Sequence, residues 1–451
     1  MPNGGFSQGP PAPPEGSAKM DPTLIGLLGL LFLLVLVFAG LPIGFSLATI
    51  GFGGLIFLRG LEGALGVLSS VPYSSVANFL WTAVPLFILM GYLAFVGGVV
   101  TDLFLAAQRW LGWLPGGLCC AAIVGCAGFA AATGSSVACA AAIGKVSLPE
   151  MARYGYDKRL STGTLATAGT LGSLIPPSIF MIVYGMITET SVGKLFMAGI
   201  LPGVMSAAVY MAYIISRVSL NPRLAPAFRG VTWAMRLQSL KGILGISIIT
   251  IVVLGGIYSG YCTPTEAAAV GSLSTLILGW VRRRLTWPLI WEGLKETTRT
   301  TSTLFVIIMG SMVFVAFMAV SRIPETVGTF IITAGVSKWA VLAGICLLYY
   351  FLGCFMEPIG MMLLTLPIIF PTLKALGFDP IWYGVVMVKL CEVGMITPPV
   401  GLNVYVIHGI LPDVSLEDIF KGITPFVVVE TLNLFLIIVF PRISLYLPSL
   451  M

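Results

Sequence analysis

Gly172-Ser173-Leu174-Ile175-Pro176-Pro177-Ser178 lies inside an apolar stretch that runs from 160 to 187. Proline has no amide N–H, and the residue before a proline avoids the α region, so a Pro-Pro pair splits a helix into two halves. The carbonyls ending the first half lose their partners and become oxygen ligands for a small cation. Ser178 adds a hydroxyl. The same break returns 222 residues later (394 − 172 = 222) in Gly394-Met395-Ile396-Thr397-Pro398-Pro399-Val400-Gly401-Leu402-Asn403. One such break alone reads equally as a plain proline kink satisfied by neighbouring helices. Two matched breaks point to an ion or substrate site.

The offset extends outward from the breaks. Pro149, Gly155, Tyr156 and Asp157 recur as Pro371, Gly377, Phe378 and Asp379, and Ser135 corresponds to Glu357. With a one-residue slip, Gly199-Ile200-x-Pro202 recurs as Gly422-Ile423-x-Pro425. The chain therefore reads as a tail 1–20, a first repeat 21–217, a cytoplasmic linker 218–241, a second repeat 242–446 and a tail 447–451. Residues 1–20 are rich in Pro, Gly and Ser; they read as a disordered tail, or Met20 is the true start.

Composition places both repeats in a membrane. Of 451 residues, 57% are hydrophobic and only 9% charged, with a mean hydropathy of +1.01. So few charges cannot coat soluble domains of this size, and a disordered chain would be polar. Spans need about 20 mainly apolar residues. Candidates are 24–39, 41–58, 83–101, 160–187, 191–216, 242–259, 264–281, 301–320, 381–410 and 424–446. Two further stretches, 117–146 and 338–369, are too long for one span and too short for two. Each breaks near its middle, at Gly134-Ser135-Ser136 and at Glu357-Pro358-Ile359-Gly360. Both read as re-entrant hairpins, tolerated at membrane depth where protein or a water-filled cavity surrounds them. Segments 61–80 and 285–300 read as amphipathic arms along the interface. The expected fold is an all-α polytopic membrane protein, with about ten transmembrane helices and two hairpins in two repeats.

Basic residues orient it. Arg217, Arg223, Arg229, Arg236 and Lys241 fall in 217–241, and Arg282, Arg283, Arg284, Lys295 and Arg299 in 282–299. Both segments belong in the cytoplasm, with two spans between them. Lys145, Arg153, Lys158 and Arg159 put the mouth of the first hairpin there too, and both termini fall outside. Five spans and one hairpin per half is an odd number of crossings, so the second repeat is inverted. Inverted repeats with interrupted helices in matching positions are the signature of secondary transporters, with sites near the midplane where the breaks meet.

Several polar groups are candidates for that site. Thr133-Gly134-Ser135-Ser136 forms the first tip, where Ser136 could cap the returning helix and exposed N–H groups favour a carboxylate. Alternatively it is a turn of small residues that permits tight packing. At the second tip, Glu357 is either a functional carboxylate at membrane depth or hydrated in a shallow hairpin. Lys389 and Glu392, three apart on one helix, could form an ion pair, either functional at membrane depth or a mutually satisfied structural pair. Glu266, after Pro264, complements a helix N-terminus, and His408 belongs at a helix end. Trp81, Trp110, Trp113, Trp287 and Trp291 read as interfacial anchors. The eight cysteines show no ligand spacing and read as buried apolar residues. With one histidine, metal clusters and His-based triads are nearly ruled out. The scattered basic residues argue against nucleic acid.

Many of these residues also carry a resemblance. Gly134-Ser135-Ser136-Val137-Ala138, Pro149-Glu150-Met151, Gly155-Tyr156-Asp157-Lys158, Gly169-Thr170-Leu171-Gly172-Ser173-Leu174-Ile175-Pro176-Pro177-Ser178 and Leu195-Phe196-Met197-Ala198-Gly199 resemble the large membrane subunit of TRAP transporters (tripartite ATP-independent periplasmic transporters, DctM type). So do Thr263-Pro264-Thr265-Glu266-Ala267-Ala268 and Thr397-Pro398-Pro399-Val400-Gly401-Leu402-Asn403. The resemblance covers roughly 21–446. It implies import of an organic acid across the bacterial inner membrane on a sodium gradient, with no organic cofactor. It implies two partners, a small four-helix membrane subunit (Q type) and a periplasmic substrate-binding protein (P type). It implies an elevator motion of hairpins and broken helices against a scaffold. The implied ion and substrate site comprises Thr133, Gly134, Ser135, Ser136, Gly172, Pro176, Pro177, Ser178, Glu357, Pro358, Gly360, Gly394, Thr397, Pro398, Pro399, Gly401 and Asn403, with sodium on backbone carbonyls near Gly172 and Gly394. Lys389 and Cys391 depart from the family's pattern.

A stand-alone carboxylate–cation symporter that needs no binding protein is the alternative reading. A channel would not require matched broken helices, and no nucleophile–base pair marks an intramembrane enzyme.

Overall fold

The structure, a computed structural model, describes residues 21–226, 228 and 230–451. The expected tail 1–20 and Arg229 of the basic segment lie outside the described residues. The first half contains α1 (Pro22–Phe38), α2 (Ile43–Val76), α3 (Ala83–Val96), α4 (Val99–Leu111), α5 (Gly117–Thr133) and α6 (Ser136–Arg153). It continues with α7 (Lys158–Gly169), α8 (Leu171–Leu174), α9 (Ile179–Thr188) and α10 (Val192–Leu220). The second contains α11 (Trp233–Tyr258), α12 (Pro264–Val281), α13 (Trp287–Ser321), α14 (Ile323–Thr333), α15 (Lys338–Gly353) and α16 (Pro358–Ala375). It ends with α17 (Pro380–Ile396), α18 (Leu402–Ile410), α19 (Leu416–Val439) and α20 (Arg442–Leu445). Among the described residues there is no strand.

The repeat is visible in how the helices start. The Asp157 carboxylate accepts from the Leu160 N–H at 2.9 Å to open α7, and Asp379 accepts from the Ile381 and Trp382 N–H groups at 2.8 and 3.0 Å to open α17. Each satisfies donors that a helix start leaves free. Thr263 and Glu266 form a reciprocal capping box at α12, the role expected of Glu266. His408 ends α18, with Nδ1 3.0 Å from the Val414 carbonyl.

Packing follows the repeat with partners exchanged. α2 lies against α13, and its counterpart α12 lies against α3. Small residues let these backbones meet: Gly51 fits against Phe314, where a Cβ would come 2.7 Å from the Phe314 nitrogen. Across the other pair, Ser272 Oγ–H donates to the Leu86 carbonyl at 2.6 Å. The hairpins, broken helices, α10 and α19 pack together. α6 lies on α18 of the opposite half, and α16 on α9.

Several boundaries differ from the sequence reading. Among the described residues seven helices, or eight counting the broken pair, are long and apolar enough to cross a membrane, against about ten expected. α1 is 17 residues long. α12 opens on Pro-Thr-Glu and carries Ser272, Ser274 and Thr275, which dilute it. α16, expected to return partway, is itself one of the seven. α11 begins at Trp233, so the linker 218–241 is helical from there. The arm 285–300 and the span 301–320 form one helix, α13. In the first half the arm instead continues α2, across a non-helical Gly60 at φ 76°, ψ 173°. The short helices α4 and α14 are additional; at 13 and 11 residues each falls short of the length of a span. Trp81 is no interfacial anchor: it is buried, and its Nε1–H donates to the Ser75 carbonyl at 2.8 Å.

Candidate functional site

Gly134 closes α5 in the left-handed region, at φ 61°, where a side chain would be strained. Ser135 then extends (φ −134°, ψ 124°), and its Oγ accepts from the Ala138 N–H at 3.4 Å. Ser135 is thus the cap expected of Ser136, whose hydroxyl is used elsewhere. At the second tip Glu357 takes the equivalent place, its Oε2 accepting from the Gly360 N–H at 3.0 Å. It is half-buried.

Both tips face one cavity of about 140 Å³, lined by Ser135 and Ser136, by Glu357 and Pro358, and by Thr300 and Leu304 of α13. Two helices, α6 and α16, begin there, and helix N-termini favour an anion. A smaller neighbouring cavity, about 40 Å³, is lined by Glu357 and Pro358 together with Gly353, Gly394 and Gly401.

The first break is sealed beneath the first tip. A Cβ on Gly134 would come 2.6 Å from the Pro177 carbonyl oxygen, and one on Gly172 would come 2.6 Å from that of Ser135. The Ile179 N–H donates to the Gly134 carbonyl at 3.3 Å. Pro176, Pro177 and Ser178 are buried, and Ser178 Oγ caps α9 by accepting from the Met181 N–H at 3.3 Å. The second break differs. Gly394 is pressed against Gly353, but Pro398 and Pro399 are exposed. Thr397 Oγ1–H donates back to the Val393 carbonyl at 2.6 Å. Gly401 opens α18 at φ 59°. Asn403 is buried, and its Nδ2–H donates to the Ala166 carbonyl at 3.0 Å. Thr133 is buried beneath Gly91 of α3, away from both cavities, and Gly360 packs on Ile43 of α2.

Two polar clusters lie deeper. In the first, Ser136 Oγ–H donates to Glu392 Oε1 at 2.6 Å, the Ser136 and Ser173 hydroxyls are 2.7 Å apart, and the Ser136 N–H donates to Ser173 Oγ at 3.2 Å. In the second, the Lys389 ammonium pairs with Glu430 Oε1 at 2.6 Å and donates to Ser206 Oγ at 3.1 Å and Tyr210 OH at 3.3 Å. Tyr210 OH also donates to Glu430 and lies 3.2 Å from Thr170 Oγ1. The expected pair of Lys389 with Glu392 is therefore corrected. The two side chains leave α17 toward different neighbours, Lys389 toward α10 and α19, Glu392 toward the first hairpin. Glu430 and Asn433 escaped the sequence reading; an acid six residues into the apolar run 424–446 was the available signal. Five of the cysteines are buried and three half-buried, and all are free. Among the described residues no three His, Cys, Asp or Glu gather to hold a metal ion. A cation here would be held by hydroxyl, carboxylate and carbonyl oxygens.

Residues 30–443 match the family described as Tripartite ATP-independent periplasmic transporter, DctM component. The chain belongs to this family. A C4-dicarboxylate TRAP transporter large permease protein DctM of Pseudomonas aeruginosa is 36% identical over 403 residues, covering 86% of this chain and 93% of that protein. An isethionate TRAP transporter permease protein DctMQ of Oleidesulfovibrio alaskensis is 31% identical over 94% of this chain, which covers 66% of that longer permease. In fold, the chain is similar to the crystal structure of the YdaH transporter of Alcanivorax borkumensis, with a TM-score of 0.61 over 93% of this chain and 98% of that one, at 14% identity. As a DctM family member with several apolar helices, it is a multi-pass protein of the inner membrane. Its relatives are permeases rather than enzymes.

Proposed function

We propose that this DctM family member is the permease subunit of a sodium-coupled importer of an organic acid. The observation that carries the reading is the single cavity where both hairpin tips meet against α13. Two helix N-termini there offer N–H groups to an acid. The glycine-lined breaks beside them offer carbonyl oxygens near Gly172 and Gly394 to sodium. Thr300 and Leu304 belong to a long scaffold helix, so the cavity lies between the hairpin body and the scaffold. Movement of the hairpins, broken helices, α10 and α19 against α2, α3, α12 and α13 would expose it to each side in turn. The relatives named for C4-dicarboxylate and isethionate support an acidic substrate.

Two partners complete the reading: a periplasmic binding protein that delivers the acid, and a small four-helix membrane subunit. The DctMQ relative supports the latter, since it extends beyond the part that this chain matches.

Reconstitution in liposomes with both partners tests it. Uptake of a C4-dicarboxylate is expected to require an inward sodium gradient and the binding protein. S135V and T397V are expected to abolish sodium-dependent uptake. Robust uptake by this chain alone would establish a stand-alone symporter instead, and sodium dependence unchanged in both variants would overturn the site.

A further inference from the structure

We propose that Glu392 is the anionic ligand of a monovalent-cation site completed by the hydroxyls of Ser136 and Ser173. The proposal rests on the sodium-coupled reading above and names the charge that the coupling ion would meet.

Glu392 is fully buried. Its Oε1 accepts from Ser136 Oγ–H at 2.6 Å, and its Oε2 is buried without a hydrogen-bond partner. Among the described residues no Lys, Arg or His nitrogen lies within 4.0 Å of it. The nearest base along the helix, Lys389, is held by Glu430. A carboxylate removed from water without a counter-charge is strongly disfavoured. A cation resting on Oε2 removes that imbalance. The donors are all oxygens, which suits a hard ion. One carboxylate among neutral hydroxyls carries a single negative charge, which suits a monovalent one.

Its placement gives the ion leverage. Ser136 belongs to the first hairpin tip, Ser173 to the first break, and Glu392 lies two residues before Gly394 at the second. A cation here joins elements of both halves. Another orphan oxygen, Asn403 Oδ1, belongs to a side chain beside the same tip: a Cβ on Gly169 would lie 3.1 Å from both Asn403 Nδ2 and the Ser136 carbonyl oxygen.

The test uses the full chain in lipid nanodiscs, titrated with sodium chloride against choline chloride at constant ionic strength, with unfolding temperature as the readout. Sodium is expected to raise it in the wild type. E392Q keeps the shape and removes the charge, so its apparent sodium affinity is expected to fall tenfold or more. E392D and S173A, milder changes, are expected to lose affinity several-fold. They keep the test decisive if E392Q does not fold. The same variants are assayed for uptake with the partners present. Wild-type uptake indifferent to sodium would remove the underlying reading. Sodium-dependent wild-type uptake with unchanged sodium affinity in E392Q and S173A would overturn the Glu392 site alone. A wild type stabilised by acid and not by sodium would place a proton on Glu392 and also overturn it.

Discussion

Ser136 and Glu392 stand 256 positions apart, in opposite halves of the chain, and are joined by a 2.6 Å hydrogen bond in the buried interior. The bond ties the tip of the first hairpin to the helix that leads into the second break. Its hydroxyl also serves Ser173, so S136A removes two contacts at once. Hydrogen bonds to charged groups contribute about 1.5–3 kcal/mol each. S136A is therefore expected to lose at least that much, read as a lowered unfolding temperature of the purified protein in detergent. S135A, which removes only a helix cap, is expected to cost about 1 kcal/mol. Equal unfolding temperatures for S136A and wild type would show that the bond adds nothing.

The Lys389–Glu430 pair makes a different demand. Both side chains are essentially unexposed, at 1% and 0%. Removing one partner from a buried pair strands the other charge, at a cost of about 3–5 kcal/mol. K389M is expected to lose that stability or to fail to accumulate in the membrane. E430Q added to K389M removes the stranded charge and is expected to recover part of the loss. A double-mutant cycle on unfolding free energies measures the coupling. Additive losses would mean that the two residues do not share their energy.

Glu357 combines two roles that substitution can separate. Its carboxylate caps α16 and borders both cavities. E357A removes cap and charge, and loss of a cap costs about 0.5–2 kcal/mol. E357Q retains an acceptor for the Gly360 N–H and removes only the charge. If the charge serves transport, E357Q is expected to be as stable as wild type and at least tenfold slower in uptake. Normal uptake by E357Q alongside an unstable E357A would leave Glu357 a cap alone.

The repeat was legible because residues that constrain the backbone carry it. Pro176-Pro177 and Pro398-Pro399 break helices wherever they stand, and Asp157 and Asp379 cap them by local geometry. The tips at Gly134 and Glu357 were legible for the same reason. Tertiary choices were not. A helix carrying Lys389 and Glu392 does not say which neighbour each side chain will find, and Glu430 decided it. Local pattern also misplaced the first cap by one residue. Ser135 and Ser136 are chemically identical, and only the φ of −134° at Ser135 tells them apart. The equivalence of the two breaks failed in burial. Pro176 and Pro177 are covered, while Pro398 and Pro399 are exposed.

The contact between α2 and α13 offers a test that involves neither ion nor acid. Gly310 of α13 sits directly on the Gly44 backbone of α2, and any Cβ there would collide with the Gly44 carbonyl. Backbone cannot move aside as a flexible side chain can, so the two helices must separate. Overpacking costs typically ~1–3 kcal/mol where side chains can adjust, and more is expected here. G310A is expected to lower the unfolding temperature markedly and G310V to prevent folding. A Cβ on Gly53, also in α2, would meet nothing within 4 Å, so G53A is expected to be neutral or slightly stabilising through helix propensity. If α2 and α13 form the fixed frame, a partly folded G310A retains the substrate affinity of the wild type and loses transport only in proportion to folded protein. A G310A that folds fully yet changes sodium affinity would show that the frame itself shapes the ion site.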